Sequence, residues 1–335
     1  MRHLPAILVV ILILFFGGVL LWRAQPRATW HTYRTFAFNT DCWLKIYCAS
    51  TARANAAASE CLALLTALHL DLNCFSETSA VSQFNQAPAG TPFPCNRYLW
   101  AAFDAARQAY EETDGAFDVT IGPLMAYWRA VAKGEQEADE NVFLGTRARV
   151  GFNKLAFDDK ARTVTKTVEG MSVDFGGLAK GLALDIVREQ LELNGLVYFQ
   201  MNFGGNLFLS MPEGEASTVA ISDPREEGKL LYSLKDCNDR FVATSSDAHR
   251  ALAPGKVSHV IDPRTGQPAE ALLSATAATI YGSASDYLST AVFVGGVEMA
   301  RKLAEIRPTT FVLLDRNGEL HLISTPDTPP EPPLK

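Results

Sequence analysis

The sequence predicts an α+β body, built on a mixed sheet, behind one apolar N-terminal helix. Three observations predict it. Helix-like and strand-like segments are interspersed without the regular strand–helix–strand rhythm of a doubly wound sheet. Of the 335 residues 48% are hydrophobic and 20% charged, which supplies a core and rules out a disordered chain. The apolar excess is concentrated in residues 4–22, which carry no charge at all.

Those nineteen residues would reach roughly 28 Å as a helix, close to the hydrocarbon thickness of a bilayer. The sequence after them, Leu21-Trp22-Arg23-Ala24-Gln25-Pro26, fits a signal-peptidase site poorly, so an uncleaved anchor is favoured over a cleaved signal. No cysteine occurs before Cys42, which leaves no lipobox. Arg2 flanks one side of the run and Arg23 and Arg27 the other, so flanking charge does not set the orientation. Three parts follow: an anchor or signal segment at 1–30, a folded domain at 31–323, and a tail at 324–335. Pro326, Pro329, Pro330, Pro332 and Pro333 predict an extended, mobile tail.

Within the domain, 36–49 reads as a strand and 51–72, rich in Ala and Leu, as a long helix. A second helix fits 96–113 and ends at Asp114-Gly115. Short strand candidates lie in 143–165, and 171–174 reads as a strand before Gly176-Gly177. A helix at 178–193 stops at Asn194-Gly195, a common C-terminal signal. Strands are expected at 197–203, 207–210, 219–222, 241–244, 259–261 and 275–281. Asp286 opens a helix that Gly295-Gly296 interrupts and 297–306 continues. Segments 311–315 and 320–323 form a hairpin around Asn317-Gly318.

Several chemistries are excluded. The net charge is −7, and losing Arg2 and Arg23 with residues 1–24 takes it to −9, which argues against a nucleic-acid partner. There is no GxxxxGK[ST], GxGxxG, HExxH or GxSxG, and the six cysteines form no CxxC pair.

Four segments concentrate glycine with reactive side chains. The first, Asp114-Gly115-Ala116-Phe117-Asp118 through Gly122-Pro123-Leu124, also fits a simple helix cap and turn. In Asp174-Phe175-Gly176-Gly177-Leu178-Ala179-Lys180-Gly181 a strand ends and a Gly-Gly turn opens a helix with Lys180 in its first turn. A lysine there opposes the helix dipole, and a phosphate bound at the helix N-terminus would offset that cost; a solvated surface lysine is the plainer alternative. His259 enters an apolar run closed by Asp262-Pro263-Arg264-Thr265-Gly266. Imidazole titrates near neutrality, so His259 is a candidate base, beside the plainer reading of a buried, hydrogen-bonded histidine. Asp286 and Thr290 are spaced i, i+4, which puts a carboxylate and a hydroxyl on one helix face. Such a pair suits a hard cation such as Mg²⁺; helix capping by Asp286 is the alternative.

In this order the segments resemble the FAD:protein FMN transferase family, also called ApbE-like. Further matching stretches are Asn73-Cys74-Phe75-Ser76-Glu77-Thr78-Ser79 through Asn85, Asn202-Phe203-Gly204-Gly205-Asn206 and Thr244-Ser245. Phe38-Asn39-Thr40 stands where the family has Met-Gly-Thr, Ala80 replaces an acidic residue, and Ser246 and Ala248 replace the Gly and Tyr of Thr-Ser-Gly-Asp-Tyr. The resemblance implies an α+β fold and an Mg²⁺-dependent transfer of FMN from FAD to a Ser or Thr hydroxyl of a partner redox protein, with AMP leaving. It implies acceptors on the outer face of a bacterial inner membrane, hence a membrane-anchored body facing the periplasm. By position, Phe38 and Phe75 line the flavin, and Ala116, Phe117, Asp118, Asp174, Lys180 and Val260 hold FAD. The Gly177 carbonyl, Asp286 and Thr290 hold Mg²⁺. His259 is the base, and Asp286 joins it as a catalytic residue. Two other readings stay open: an FAD pyrophosphatase giving FMN and AMP, and a flavin carrier without turnover.

Overall fold

The computed structural model describes residues 27–247 and 258–325. The expected anchor at 4–22 and the proline-rich stretch from 326 lie outside the described residues. No described helix is long and apolar enough to cross a membrane.

The framework is an eight-stranded sheet. In chain order its strands are β1 (Thr29–Ala37), β2 (Thr40–Cys48), β6 (Phe199–Phe203), β7 (Asn206–Ser210), β10 (Arg240–Ser246), β11 (Leu272–Thr279), β12 (Thr310–Asp315) and β13 (Leu320–Ser324), and they lie side by side in that same order. A three-stranded sheet pairs β3 (Phe93–Pro94), β5 (Thr163–Lys166) and β4 (Leu155–Asp158), and β8 (Val219–Ser222) pairs with β9 (Leu230–Leu234). α+β is therefore the class. The sheet expected to be mixed is antiparallel at every described pairing. Tight hairpins join β1 to β2, β6 to β7 and β12 to β13, and short turns serve antiparallel neighbours only. β1 starts at Thr29 and β13 ends at Ser324, slightly wider than the 31–323 read from sequence.

One face of the sheet carries helices α1 (Thr51–Leu72), α6 (Ala179–Leu193) and α7 (Gly282–Ile306). α1 forms because Ser50 caps it, its hydroxyl accepting from Arg53 N at 3.3 Å, and because Ala54, Ala57, Ala58, Cys61, Leu65, Leu68 and Leu72 make one buried stripe. The remaining helices are α2 (Ala80–Gln86), α3 (Arg97–Glu112), α4 (Gly122–Lys133) and α5 (Glu140–Arg147). The opposite face is covered near β7, β10 and β11, where Leu209, Val242 and Ala278 pack with Val219 and Leu234 of the β8–β9 hairpin.

The structure departs from the sequence reading at several points. The run 36–49 is a hairpin, not one strand: Phe38 and Asn39 take left-handed φ of 51° and 57°, the turn that matches strand twist, without the glycine that usually marks it. Part of 143–165 is helical, as α5. Pro123 proves to be a helix-start residue, and α4 follows it. The run 259–261 makes only an isolated bridge, Ile261 to Pro268. α7 begins at Gly282, so Asp286 lies inside the helix and does not cap it. The interruption is real: Gly296 has φ 72° and kinks α7.

Candidate active site

The segment 171–174, expected as a strand, forms none: side-chain and loop contacts hold its backbone where a neighbouring strand would otherwise pair. Asn85 of α2 accepts from Val173 N at 2.7 Å and donates to Val173 O at 3.0 Å. On the other side Asp174 N donates to Val119 O at 2.8 Å, and a Cβ on Gly122 would lie 2.4 Å from Ser172 Oγ. Buried Lys166 donates to Asn85 O and Met171 O, closing the frame. Asn85→Ala orphans two buried backbone groups and should cost about 1–3 kcal/mol. An unchanged urea midpoint in that variant would remove Asn85 from the frame.

The framed segment delivers Asp174 into the Gly-Gly turn. Asp174 Oδ1 accepts from Gly176 N at 2.8 Å, and Lys180 Nζ reaches back to Gly176 O at 3.3 Å. Lys180 is not the solvated lysine of the plainer reading. It is buried, and its Nζ lies 3.5 Å from Asp286 Oδ1. Asp286 Oδ2 accepts from Gly181 N at 3.0 Å.

This meeting of α6 and α7 depends on two glycines facing each other. A Cβ on Gly181 would lie 2.2 Å from Gly282 O, and one on Gly282 would lie 2.4 Å from Gly181 O. The N-terminus of α7 lacks a local cap. Asp185 of α6 supplies it, accepting from Gly282 N at 2.6 Å and Ser283 N at 2.7 Å. Burial pushes the Asp185 carboxyl up, and these N–H groups pull it back only in part.

Gly177 faces Phe117 and Thr290: a Cβ there would sit 3.0 Å from the Phe117 ring and 3.1 Å from Thr290 Oγ1. Thr290 Oγ1 is 3.2 Å from Ser245 Oγ at the end of β10, and Ser245 Oγ is also 2.9 Å from Ser289 Oγ. The structure thus gathers Phe117, Asp174, Gly177, Lys180, Asp286 and Thr290 around the α6–α7 junction.

The other sequence-predicted residues have different partners. Asp118 is buried with both oxygens occupied: Oδ1 accepts from Thr120 N and Oγ1, and Oδ2 from Phe152 N. Burial raises its carboxyl despite those donors. Its side chain secures the turn that begins α4, while buried Ala116 and Phe117 precede it. Phe38, at the β1–β2 turn, donates its N–H to His69 Nδ1 at 3.0 Å and meets that ring edge-on. Phe75 is 65% exposed, an aromatic ring offered to solvent. Val260 is buried, its N–H bonded to Ser258 Oγ. His259 pairs with Asp247, Nδ1 to Oδ1 at 3.3 Å.

Sequence reasoning missed Arg129 on α4. Its guanidinium stacks 5.0 Å from the Phe75 ring centroid and lies 3.8 Å from Asp174 Oδ2. Pro123 marked the start of α4, and recognising that helix would have brought Arg129 into view. Cys74, beside Asp174 and Arg129, is no nucleophile: burial, with the Asp174 charge, pushes its thiol up to about 12. All six cysteines are free thiols.

The ApbE family profile matches residues 38–314. A curated relative from Haemophilus influenzae, an FAD:protein FMN transferase, is 28% identical over 267 residues, covering 76% of this chain and 77% of its own. A protein of the same name from Treponema pallidum is 26% identical over 312 residues, 86% and 85% of the two chains. Among solved structures, the apo flavinyl transferase ApbE of Pseudomonas stutzeri superposes with a TM-score of 0.76 at 26% identity, over 90% of this chain and 96% of that one. The ApbE protein of Thermotoga maritima gives 0.77 at 25% identity, over 88% and 96%. The fold, the clustered motif residues and the span of these matches agree, and the chain belongs to the ApbE family.

Proposed function

We propose that this protein transfers FMN from FAD to a Ser or Thr hydroxyl of a partner redox protein, with Mg²⁺ required and AMP released. The observation that carries the reading is the buried junction of α6 and α7. There Lys180, Asp286, Thr290 and Gly177 meet in a chain whose curated relatives are named FAD:protein FMN transferases. The body is acidic, so an anionic dinucleotide needs local compensation, and Lys180 with the helix N-terminus beside it supplies that. We further propose that residues 4–22 anchor the body to a bacterial inner membrane, facing the periplasm.

In this reading Phe38 and Phe75 line the flavin. Ala116, Phe117, Asp118, Asp174, Lys180 and Val260 hold FAD, with Asp118 serving through its backbone because its carboxylate is occupied. The Gly177 carbonyl, the Asp286 carboxylate and the Thr290 hydroxyl are hard oxygen donors of the kind Mg²⁺ prefers, and Thr290 Oγ1 lies directly over Gly177. Bound there, Mg²⁺ would supply charge neutralisation at the pyrophosphate. His259 takes the proton of the acceptor hydroxyl as its oxygen bonds to the FMN phosphorus. The bond from that phosphorus to the bridging oxygen breaks, and AMP leaves with that oxygen.

Arg129 backs Phe75 from one side and leaves its other face for a planar ligand. Arg129→Ala should raise KM for FAD roughly fivefold, the worth of a partly exposed cation–π contact, with little change in the unfolding midpoint. An unchanged KM would remove Arg129 from the site.

Product balance tests the function. With FAD, Mg²⁺ and an acceptor, AMP release should match protein-bound FMN, and both should stop with EDTA. Free FMN formed without acceptor at the same rate would favour a pyrophosphatase. Retained FAD with no AMP would favour a carrier.

A further inference from the structure

His259 is held from one side by a cluster that flavin binding does not use. Asp247, one residue past β10, presents Oδ1 to two groups: Ser258 Oγ donates to it at 2.6 Å, and His259 Nδ1 lies 3.3 Å away. That Nδ1 atom is buried and makes no hydrogen bond, so the Asp247 carboxylate meets it as a close ionic contact and is the acceptor beside it. The second carboxylate oxygen, Oδ2, faces Arg316 Nη2 at 3.8 Å. Arg316 comes from the β12–β13 turn and is itself fixed there, its Nε donating to Glu270 O at 2.6 Å. Ser258 Oγ also accepts from Val260 N at 3.1 Å, which ties the backbone on both sides of His259 to the same carboxylate. Burial alone would raise the Asp247 carboxyl, but His259, Ser258 and Arg316 outweigh it and hold the group below its ordinary range.

A neutral imidazole carries its proton on one nitrogen and accepts on the other. A carboxylate at Nδ1 selects the tautomer protonated there and leaves Nε2 with the lone pair that can take a proton. The same carboxylate stabilises the imidazolium that proton transfer creates.

We propose that Asp247 is a positioning residue for His259. It fixes the Nδ1–H tautomer and the ring orientation so that Nε2 faces the acceptor hydroxyl, with Arg316 and Ser258 holding the carboxylate in place. The inference rests on the reading of His259 as the base. It goes beyond that reading by assigning the group that makes the base competent and the arginine, from a distant hairpin, that secures it.

The test is a double-mutant cycle in full-length protein, read as single-turnover FMN transfer to an acceptor protein. Asp247→Asn keeps the shape but favours the wrong tautomer. It should slow transfer roughly 100-fold or more while KM for FAD stays near wild type. Asp247→Glu should recover part of the rate. In a His259→Ala background, Asp247→Asn should cause no further loss, because its effect passes through the ring. Arg316→Gln, which leaves the carboxylate itself intact, should give a smaller loss that also vanishes in that background and keeps the idea testable if Asp247→Asn fails to fold. Wild-type transfer by Asp247→Asn, or a full additional loss in His259→Ala, would overturn the proposal. Wild-type protein that transfers no FMN would instead overturn the functional reading beneath it.

Discussion

Gly181→Ala is expected to lower stability by about 3 kcal/mol and to abolish the site with it. The new Cβ would stand 2.2 Å from Gly282 O and 2.8 Å from Asp286 Cβ. Gly282 O is main chain at the start of α7, so no side chain can rotate away, and the two helices must part. The thermal midpoint should then fall by roughly 6–12 °C. Parting the helices also moves Asp286 from Gly181 N and Lys180, so transfer should fail even in the folded fraction. Gly145→Ala in α5 is the control: nothing lies within 4 Å of its Cβ, and alanine favours a helix, so stability should hold or rise slightly. Equal midpoints for Gly181→Ala and wild type would show that the helices do not meet as described.

Asp286→Asn is expected to combine the largest functional loss with a large loss of stability. Lys180 and Asp286 are each less than a tenth exposed, and breaking a buried pair leaves an uncompensated charge worth about 3–5 kcal/mol. The amide keeps a carbonyl oxygen that can still accept from Gly181 N, so the backbone contact survives while the charge does not. Transfer should fall by roughly 10³-fold, and added Mg²⁺ should not restore it. Urea unfolding separates the two effects. A variant that unfolds at the wild-type midpoint yet shows no transfer would place the role of Asp286 in chemistry alone. A variant with wild-type transfer would remove it from the site.

What could be read from the sequence was what carries its own local signal. Segment 51–72 has a stripe of Ala and Leu behind a serine cap, and the structure places α1 there. Asn317-Gly318 marks the β12–β13 hairpin, and Asn194-Gly195 marks the end of α6. Elements whose partners lie far away in sequence were not legible. α7 starts four residues before Asp286 because Asp185, 97 positions away, caps it. The stretch 171–174 forms no strand because Asn85, 88 positions from Val173, takes up the Val173 N–H and carbonyl that a neighbouring strand would pair. The Phe38–Asn39 turn takes positive φ without glycine, so its sequence looks like uninterrupted strand.

The site divides in the same way. Lys180 in a first helical turn and the i, i+4 pair Asp286 and Thr290 followed from spacing. The structure adds that Lys180 and Asp286 are partners, which no spacing across 106 positions reveals. Arg129 and Asp247 act through contacts between elements, with Phe75 and Asp174 in one case and with His259, Ser258 and Arg316 in the other.

Covalent flavin on a protein partner is the measurement closest to the central claim. Cells co-expressing this chain with a membrane redox acceptor would be lysed, and the acceptor digested and weighed by peptide mass spectrometry. Wild-type enzyme should leave an FMN increment on one Ser or Thr, and His259→Ala should leave at most a trace of it. Unmodified acceptor beside wild-type enzyme, with FAD converted to free FMN and AMP, would contradict the account.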